Sequence, residues 1–448
     1  METTKASAIA RAMGGELRGP DRDVSGVSID SRTVAAGDLF VAIKGPTHDG
    51  HRFVAQALAA GAAAAVVERD RALDDAAGPL IAVADTAAAL RDWARSYRAR
   101  FAIPVVAVTG TNGKTTTKEM IAAVLSVRHA VLKNEGNLNN QYGLPLSLFR
   151  LAPAHTAAVV ELGMSAVGEI AALCALAQPG IGVVTNVGEG HTQYLKTIAN
   201  VAAAKAELFA ALPADGVAIA NADDPWVMKG AAATGARVVR FGIGESADVR
   251  AQGIRFAAAG STFMVGDQQF TVPMLGGHNV YNALAAIAAG DALGIPRPAA
   301  AAALAAMRPA AMRLEPVRLK DYFLINDAYN ANPASMRAAL ETLAGLELPG
   351  RKVAILGDML ELGEIAEKRH WEIGYLGGRR ADAILTVGEL SAKIHQTAEG
   401  AGAEAVHCRT NQELIARLPE LLRPSDVILV KASRGMHFEE IVNAIIRL

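Results

Sequence analysis

Val105-Val106-Ala107-Val108-Thr109-Gly110-Thr111-Asn112-Gly113-Lys114-Thr115-Thr116 is the stretch on which the reading of this chain turns. A short apolar run of β-forming residues enters a glycine turn, and helical spacing follows from Thr115 to Ser126. Strand, glycine turn and helix in that order are the context a phosphate loop requires. Glycines let successive backbone N–H groups curl around phosphate oxygens, and the helix N-terminus adds partial positive charge. In such a loop Lys114 reaches the β- and γ-phosphates and the Thr115 hydroxyl takes Mg²⁺. The general pattern G-x-x-x-x-G-K-[ST] is shortened here, because Val108 holds the outer glycine position and the first glycine is Gly110. The alternative is a plain glycine turn before a helix bearing a surface lysine; the flanking strand and helix favour the nucleotide.

Outward from this loop, buried strands alternate with amphipathic helical stretches, the βα pattern of parallel sheets. Residues 157–162, 181–185 and 217–221 read as further strands, and residues 279–293 as a helix. Thr271-Val272-Pro273 reads as an edge strand. Upstream, residues 38–43 and 63–68 read as strands and residues 49–61 and 85–101 as helices, with Ile103-Pro104 marking a boundary. Downstream, residues 323–327, 353–356, 384–387 and 427–431 read as strands of a doubly wound sheet. The expected fold is therefore α/β in three domains. Residues 1–102 form a smaller α/β domain, residues 103–310 a central, mostly parallel sheet carrying the phosphate loop, and residues 311–448 a C-terminal Rossmann-like domain.

Composition agrees. At ~100–200 residues per domain, 448 residues suit three domains. Lys+Arg 44 against Asp+Glu 45 leaves a charge of −1, which argues against a nucleic-acid binder. With 20% charged and 51% hydrophobic residues, disorder is excluded as the main state. The mean hydropathy of +0.22 reflects alanine, not a membrane protein. A span needs ~20 apolar residues. The best candidate, residues 170–188, is broken by Gln178-Pro179-Gly180 and reads as helix, turn and buried strand. Two cysteines and no N-terminal apolar segment fit a reducing cytoplasm. Cys174, in an apolar helix, reads as inert core.

The run from Gly110 to Thr116 resembles the signature of the Mur ligase family, ATP-dependent enzymes that join amino acids to the peptidoglycan precursor, and the resemblance extends over nearly the whole chain. It implies that Gly110, Thr111, Asn112, Gly113, Lys114, Thr115 and Thr116 hold the ATP phosphates. Asn137, Asn139 and Asn140, in Gly136-Asn137-Leu138-Asn139-Asn140-Gln141-Tyr142-Gly143-Leu144-Pro145, are similar to the family's substrate-side loop. Glu161, at the end of an apolar strand, is implied as a Mg²⁺ ligand, and a hard cation does take oxygen donors. His191, in Gly188-Glu189-Gly190-His191, is implied to help hold a second Mg²⁺, although Thr192 and Gln193 replace the family's usual leucine and acidic residue. Lys205 is similar to a lysine that several members carbamylate; a surface lysine is the alternative. Asn279 and Asn282, in Gly277-His278-Asn279-Val280-Tyr281-Asn282, are implied to touch the adenine nucleotide, with helix capping as the other reading of Asn279.

From the third block, Arg313 resembles an arginine that swings onto the ATP phosphates, with Met312 where the family often has glycine. Asp327, Asn330 and Asn332, in Asp327-Ala328-Tyr329-Asn330-Ala331-Asn332-Pro333, resemble the member that adds D-alanyl-D-alanine; Asp327 and Asn330 fall to the nucleotide and Asn332 to the substrate. Residues 356–363 and 431–435 match the same member. In the first block Ser31, Arg32, Asp49 and His51 are similar to its UDP-sugar-binding residues. The resemblance thus implies ATP, two Mg²⁺ and a carbamylated Lys205 as cofactors. It implies UDP-N-acetylmuramoyl-tripeptide and D-alanyl-D-alanine as substrates, a catalytic set of Lys114, Lys205, His191 and Arg313, and a monomer. The rival readings are another amino-acid-adding ligase of the family, a folylpolyglutamate-type ligase, or a non-catalytic nucleotide-dependent switch.

Overall fold

The structure is a computed structural model and describes residues 1–45, 47–71, 78–189, 195–308 and 311–448. The first 100 residues build a five-stranded sheet in the order Glu16–Arg18, Leu80–Val83, Ala64–Glu68, Asp38–Val41, Gly26–Ser28, in which only Glu16–Arg18 runs antiparallel to its neighbour. The helix expected over residues 49–61 opens as a 3₁₀ turn, Gly50–Phe53, because the Asp49 side chain accepts from His51 N and tightens it; the α-helix is Val54–Ala59. Asp85 caps the helix Thr86–Arg98 through Ala88 N. That helix joins this layer to the next. Trp93 and Tyr97 pack on Phe149, with the Trp93 and Phe149 ring centroids 4.1 Å apart, and Tyr97 Oη donates to Leu151 O at 2.8 Å.

The central sheet has seven strands, all parallel, in the order Val249–Arg250, Arg237–Gly242, Val217–Asn221, Ile181–Val184, Val105–Thr109, Ala157–Glu161, Val131–Lys133. Its middle strands are continuous Val, Ile and Ala runs because both faces are covered, the sequence signature of parallel sheets. Helices Lys114–Leu125 and His278–Ala292 cover one face, and Glu169–Ala177 and Ile198–Ala210 the other. The chain leaves Val105–Thr109 for one side of the sheet and later returns for the other, so the crevice at its C-terminal end is where such folds bind ligands. A three-stranded antiparallel sheet, Gln252–Ala257, Gly260–Val265 and Gln268–Val272, packs Phe263 and Phe270 against this domain. The expected edge strand at residues 271–273 is the end of its outer strand, which stops before Pro273.

The third sheet runs Glu315–Arg318, Phe323–Asn326, Val427–Lys431, Lys352–Gly357, Ala383–Val387, Glu404–Cys408. Five strands are parallel and Glu315–Arg318 is an antiparallel edge. Separate apolar clusters lie on its two faces, as double winding requires. Among the described residues no helix is long and apolar enough to cross a membrane.

Candidate active site

A cavity of about 880 Å³ opens where the C-terminal ends of the central and third sheets face each other. The phosphate loop forms its floor. Gly110 has φ +155° and Gly113 φ +80°, backbone that glycine adopts without penalty. A Cβ on Gly110 would lie 1.9 Å from Thr185 Oγ1, and one on Gly113 2.4 Å from Asn282 Oδ1. The loop is tied to the end of the neighbouring strand. Thr111 N donates to Asn186 O, and Asn112 N to Asn186 Oδ1, both at 2.9 Å. Thr185 Oγ1 donates to Asn112 O at 2.6 Å. Lys114 Nζ folds back onto Gly110 O at 3.0 Å and Thr111 O at 3.3 Å. Burial pulls its pKa below the ordinary lysine value, against the opposing pull of Glu161. Thr115 and Thr116 border the cavity from the first helical turn.

Glu161 ends its strand with a buried carboxylate. Its Oε2 accepts from Thr115 Oγ1 at 2.7 Å and its Oε1 from Asn139 Nδ2 at 2.8 Å. Asn134 clamps the Glu161 backbone from both sides, accepting from its N–H at 2.9 Å and donating to its C=O at 3.1 Å. Lys205 enters from the helix Ile198–Ala210 and is 3% exposed at the cavity edge. No hydrogen bond or ion pair joins its ammonium group to another described residue. Burial first, and then the positive charge of Lys114, hold its pKa well below the usual lysine range. His191 lies outside the described residues.

The third sheet supplies the roof. Arg313 stacks on the Tyr329 ring at 4.1 Å and donates from Nη2 to Thr115 Oγ1 at 3.2 Å. It is flanked by two left-handed residues, Met312 at φ +58° and Leu314 at φ +46°. The position where glycine was expected therefore does have glycine-like backbone, carried by a methionine. Asp327 accepts from Leu314 N at 3.1 Å and from Lys431 Nζ at 2.6 Å, and Lys431 also donates to Asn330 O at 2.8 Å. Asn332 caps the helix Pro333–Gly345 with its oxygen and reaches Asn112 Oδ1 with its amide at 2.7 Å. Asn330 borders the same cavity.

Asn279 and Asn282 are buried at the start of the helix His278–Ala292. Asn279 is not its cap, since Gly277 holds that position; its amide hooks back to Leu275 O at 2.7 Å. Asn282 donates to Asn279 Oδ1 at 2.9 Å and accepts from Thr117 Oγ1 at 3.1 Å. Beside them a second hollow of about 360 Å³ is bordered by Asn112, Gly113, Asn186, Trp226 and Tyr281.

The remaining expected residues divide. Asn137, Asn139 and Asn140 border the main cavity, though the Asn140 oxygen also accepts from Tyr142 N and Gly143 N, at 3.1 and 2.9 Å, at the start of a short helix. Ser31, Arg32, Asp49 and His51 do not border it. Arg32 pairs with Asp30 at 2.7 Å on the surface. His51 lies in the 3₁₀ turn Gly50–Phe53 of the first domain. It is 5% exposed, its Nε2 accepts from Glu68 N at 3.0 Å, and its Nδ1 therefore carries the proton given to Asp49 at 2.7 Å. Both nitrogens are engaged within the first sheet.

Asn134, Asn186, Tyr329 and Lys431 were not among the expected site residues. Asn186 and Lys431 stand at strand ends on the ligand side, which is the signal that could have found them.

Family models match three successive stretches, the Mur ligase family, catalytic domain over residues 23–98, the Mur ligase middle domain over 108–290, and the Mur ligase, glutamate ligase domain over 312–434. A Bacillus subtilis relative named UDP-N-acetylmuramoyl-tripeptide--D-alanyl-D-alanine ligase is 40% identical, over 98% of this chain and 97% of its own. A solved structure of UDP-N-acetylmuramoylalanyl-D-glutamyl-2,6-diaminopimelate--D-alanyl-D-alanyl ligase from Acinetobacter baumannii superposes with a TM-score of 0.89 at 31% identity, covering 100% of this chain and 99% of that one. The MurF ligase of Thermotoga maritima, solved in complex with ADP, gives 0.84 at 29% identity over 95% of this chain and 97% of that one. The chain belongs to the Mur ligase family.

Proposed function

We propose that the chain is an ATP-dependent ligase that joins D-alanyl-D-alanine to UDP-N-acetylmuramoyl-tripeptide in peptidoglycan precursor synthesis. The observation that carries this reading is the convergence in one cavity of a phosphate loop and Glu161 from one sheet with Arg313, Asp327 and Asn332 from another. Full-length similarity to relatives named for this reaction supports the choice of substrates. The limits of its three domains are put at residues 1–102, 103–310 and 311–448. The enzyme is put as a monomer.

The chemistry follows from charge. A free carboxylate is a poor acyl donor, so its oxygen first attacks the γ-phosphorus of ATP; the bond to ADP breaks and an acyl phosphate forms. The D-alanyl amine then attacks the acyl carbon, the C–N bond forms, phosphate leaves, and the amine proton passes to solvent. Carboxylate and triphosphate repel each other, and Lys114 and Arg313 offset that repulsion from opposite walls. Positioned charge of this kind is commonly the largest catalytic term. The nucleoside is assigned to the hollow beside Asn282, where Trp226 and Tyr281 offer aromatic faces.

The buried oxygens of Thr115 and Glu161 suit a hard cation. With them, His191 and the carbamate of a modified Lys205 would hold Mg²⁺, which when bound would neutralise phosphate charge. Lys205 fits carbamylation for a physical reason: burial beside Lys114 favours its neutral amine, the form that reacts with CO₂. Mass spectrometry of a mixture of the protein, ATP, the UDP-tripeptide and D-alanyl-D-alanine should show the UDP-pentapeptide and ADP. Absence of pentapeptide, or equal use of single amino acids, would refute the assignment.

A further inference from the structure

Among the described residues, the reading above leaves Arg91 as a cation of the cavity without a task. Arg91 stands on the helix Thr86–Arg98, whose opposite side buries Leu90, Trp93 and Tyr97. It is the first sheet's contribution to the wall of the 880 Å³ cavity. Its Nη1 donates to Gln141 Oε1 at 3.3 Å, and no carboxylate among the described residues pairs with it. A guanidinium has five N–H donors in a fixed fork, so the Gln141 bond leaves most of them available. The acids bordering the same cavity are already engaged. Glu169 accepts from Ser165 N at 2.6 Å and Ala166 N at 3.2 Å, and Glu161 accepts from Thr115 and Asn139. Asp327 is held by Lys431.

A planar cation facing a cavity without an acid partner is built to take an anion with two oxygens. The phosphates of ATP already have the glycine loop, Lys114 and Arg313. The peptide arm named for the Acinetobacter relative is alanyl-D-glutamyl-2,6-diaminopimelate. In such an arm the glutamyl residue uses one carboxyl in the chain and keeps one free. The diaminopimelyl residue offers one carboxyl to the reaction and keeps another. We propose that Arg91, steadied by Gln141, is the seat of a non-reacting carboxylate of the peptide arm, so that the enzyme measures acidity in that arm as well as its reacting end. This rests on the ligase reading and names a subsite within it.

Binding calorimetry on the full chain tests it with three UDP-tripeptides. One carries glutamyl and diaminopimelyl residues, one has lysine in third place, and one has the free glutamyl carboxyl amidated. Arg91→Ala should weaken the first by about tenfold or more, as loss of a charge-assisted pair does. The probe that lacks the recognised carboxylate should bind the wild type as weakly, and be insensitive to the substitution. That probe identifies which carboxylate is read. Affinity for an ATP analogue should not change. Equal weakening of all three probes would mean that Arg91 serves the UDP diphosphate or the packing, and would overturn the subsite, as would no weakening at all. Failure of every probe to bind the wild type would sink the ligase reading and the subsite with it. Arg91-dependent binding without pentapeptide formation would sink the reading alone.

Discussion

Arg313 and Thr115, 198 positions apart in sequence, meet at 3.2 Å across the seam between the central and third sheets. The same Thr115 hydroxyl donates to Glu161 Oε2 at 2.7 Å, so one oxygen links the phosphate loop, a strand-end carboxylate and the roof of the cavity. Arg313→Ala should lower kcat by about 10²–10³ while circular dichroism and thermal unfolding stay near wild type, because the guanidinium faces the cavity. Retention of full activity would remove Arg313 from the phosphate site.

Glu189 and Arg369 form a second bridge across the seam, and Glu372 holds the other arm of the guanidinium. Glu189 belongs to the central domain and Arg369 to the helix Ala366–Gly378 of the third, so the pair ties the two domains together beside the cavity. Glu189→Arg and Arg369→Glu should each lower kcat about tenfold, and the double exchange should recover most of the loss, as a paired interaction does in a double-mutant cycle. Additive losses in the double variant would show that the pair carries no coupling.

Lys205 predicts a pH dependence. Its native pKa lies well below the ordinary lysine value of 10.5, chiefly because burial penalises the charged form. Between the lowered value and 10.5 the unfolded chain binds more protons than the folded one, so stability rises with pH across that window. The slope approaches about 1.4 kcal/mol per pH unit for one such group, and the penalty is fully present below the native value. In CO₂-free buffer, urea unfolding of Lys205→Met should show higher stability than wild type at neutral pH, with a gap that closes as pH climbs toward 10.5. Parallel profiles would contradict the burial argument.

Met312 holds φ +58° beside Arg313, a conformation that costs a non-glycine residue about 1–2 kcal/mol. Met312→Val should destabilise by a further 1 kcal/mol or so, since β-branching worsens that backbone, and Met312→Gly should not. Chemical denaturation of the two variants decides it; equal effects would mean the loop does not depend on this geometry.

The parts legible in the sequence are those that are contiguous. The strand Val105–Thr109, the glycine turn and the helix after it lie within one stretch, and unbroken apolar runs announce strands buried on both faces. The antiparallel sheet over residues 252–272 was mostly missed because its first strand, Gln252–Ala257, is exposed along most of its length and carries no apolar run. Glu404–Cys408, an edge strand with a half-buried face, hides for the same reason. In the site, Asn134 and Asn186 act through backbone groups far away in sequence, and a lone asparagine in a loop signals nothing about them. At His51 the motif alone does not show that both ring nitrogens are used to hold its own domain.

The central claim is that a substrate carboxyl is phosphorylated and then displaced by an amine. The direct test uses UDP-tripeptide with ¹⁸O in its reacting carboxylate, together with ATP and D-alanyl-D-alanine. The account predicts that each phosphate released carries one oxygen from that carboxylate, seen as a mass shift in inorganic phosphate. Unlabelled phosphate accompanying pentapeptide formation would contradict it.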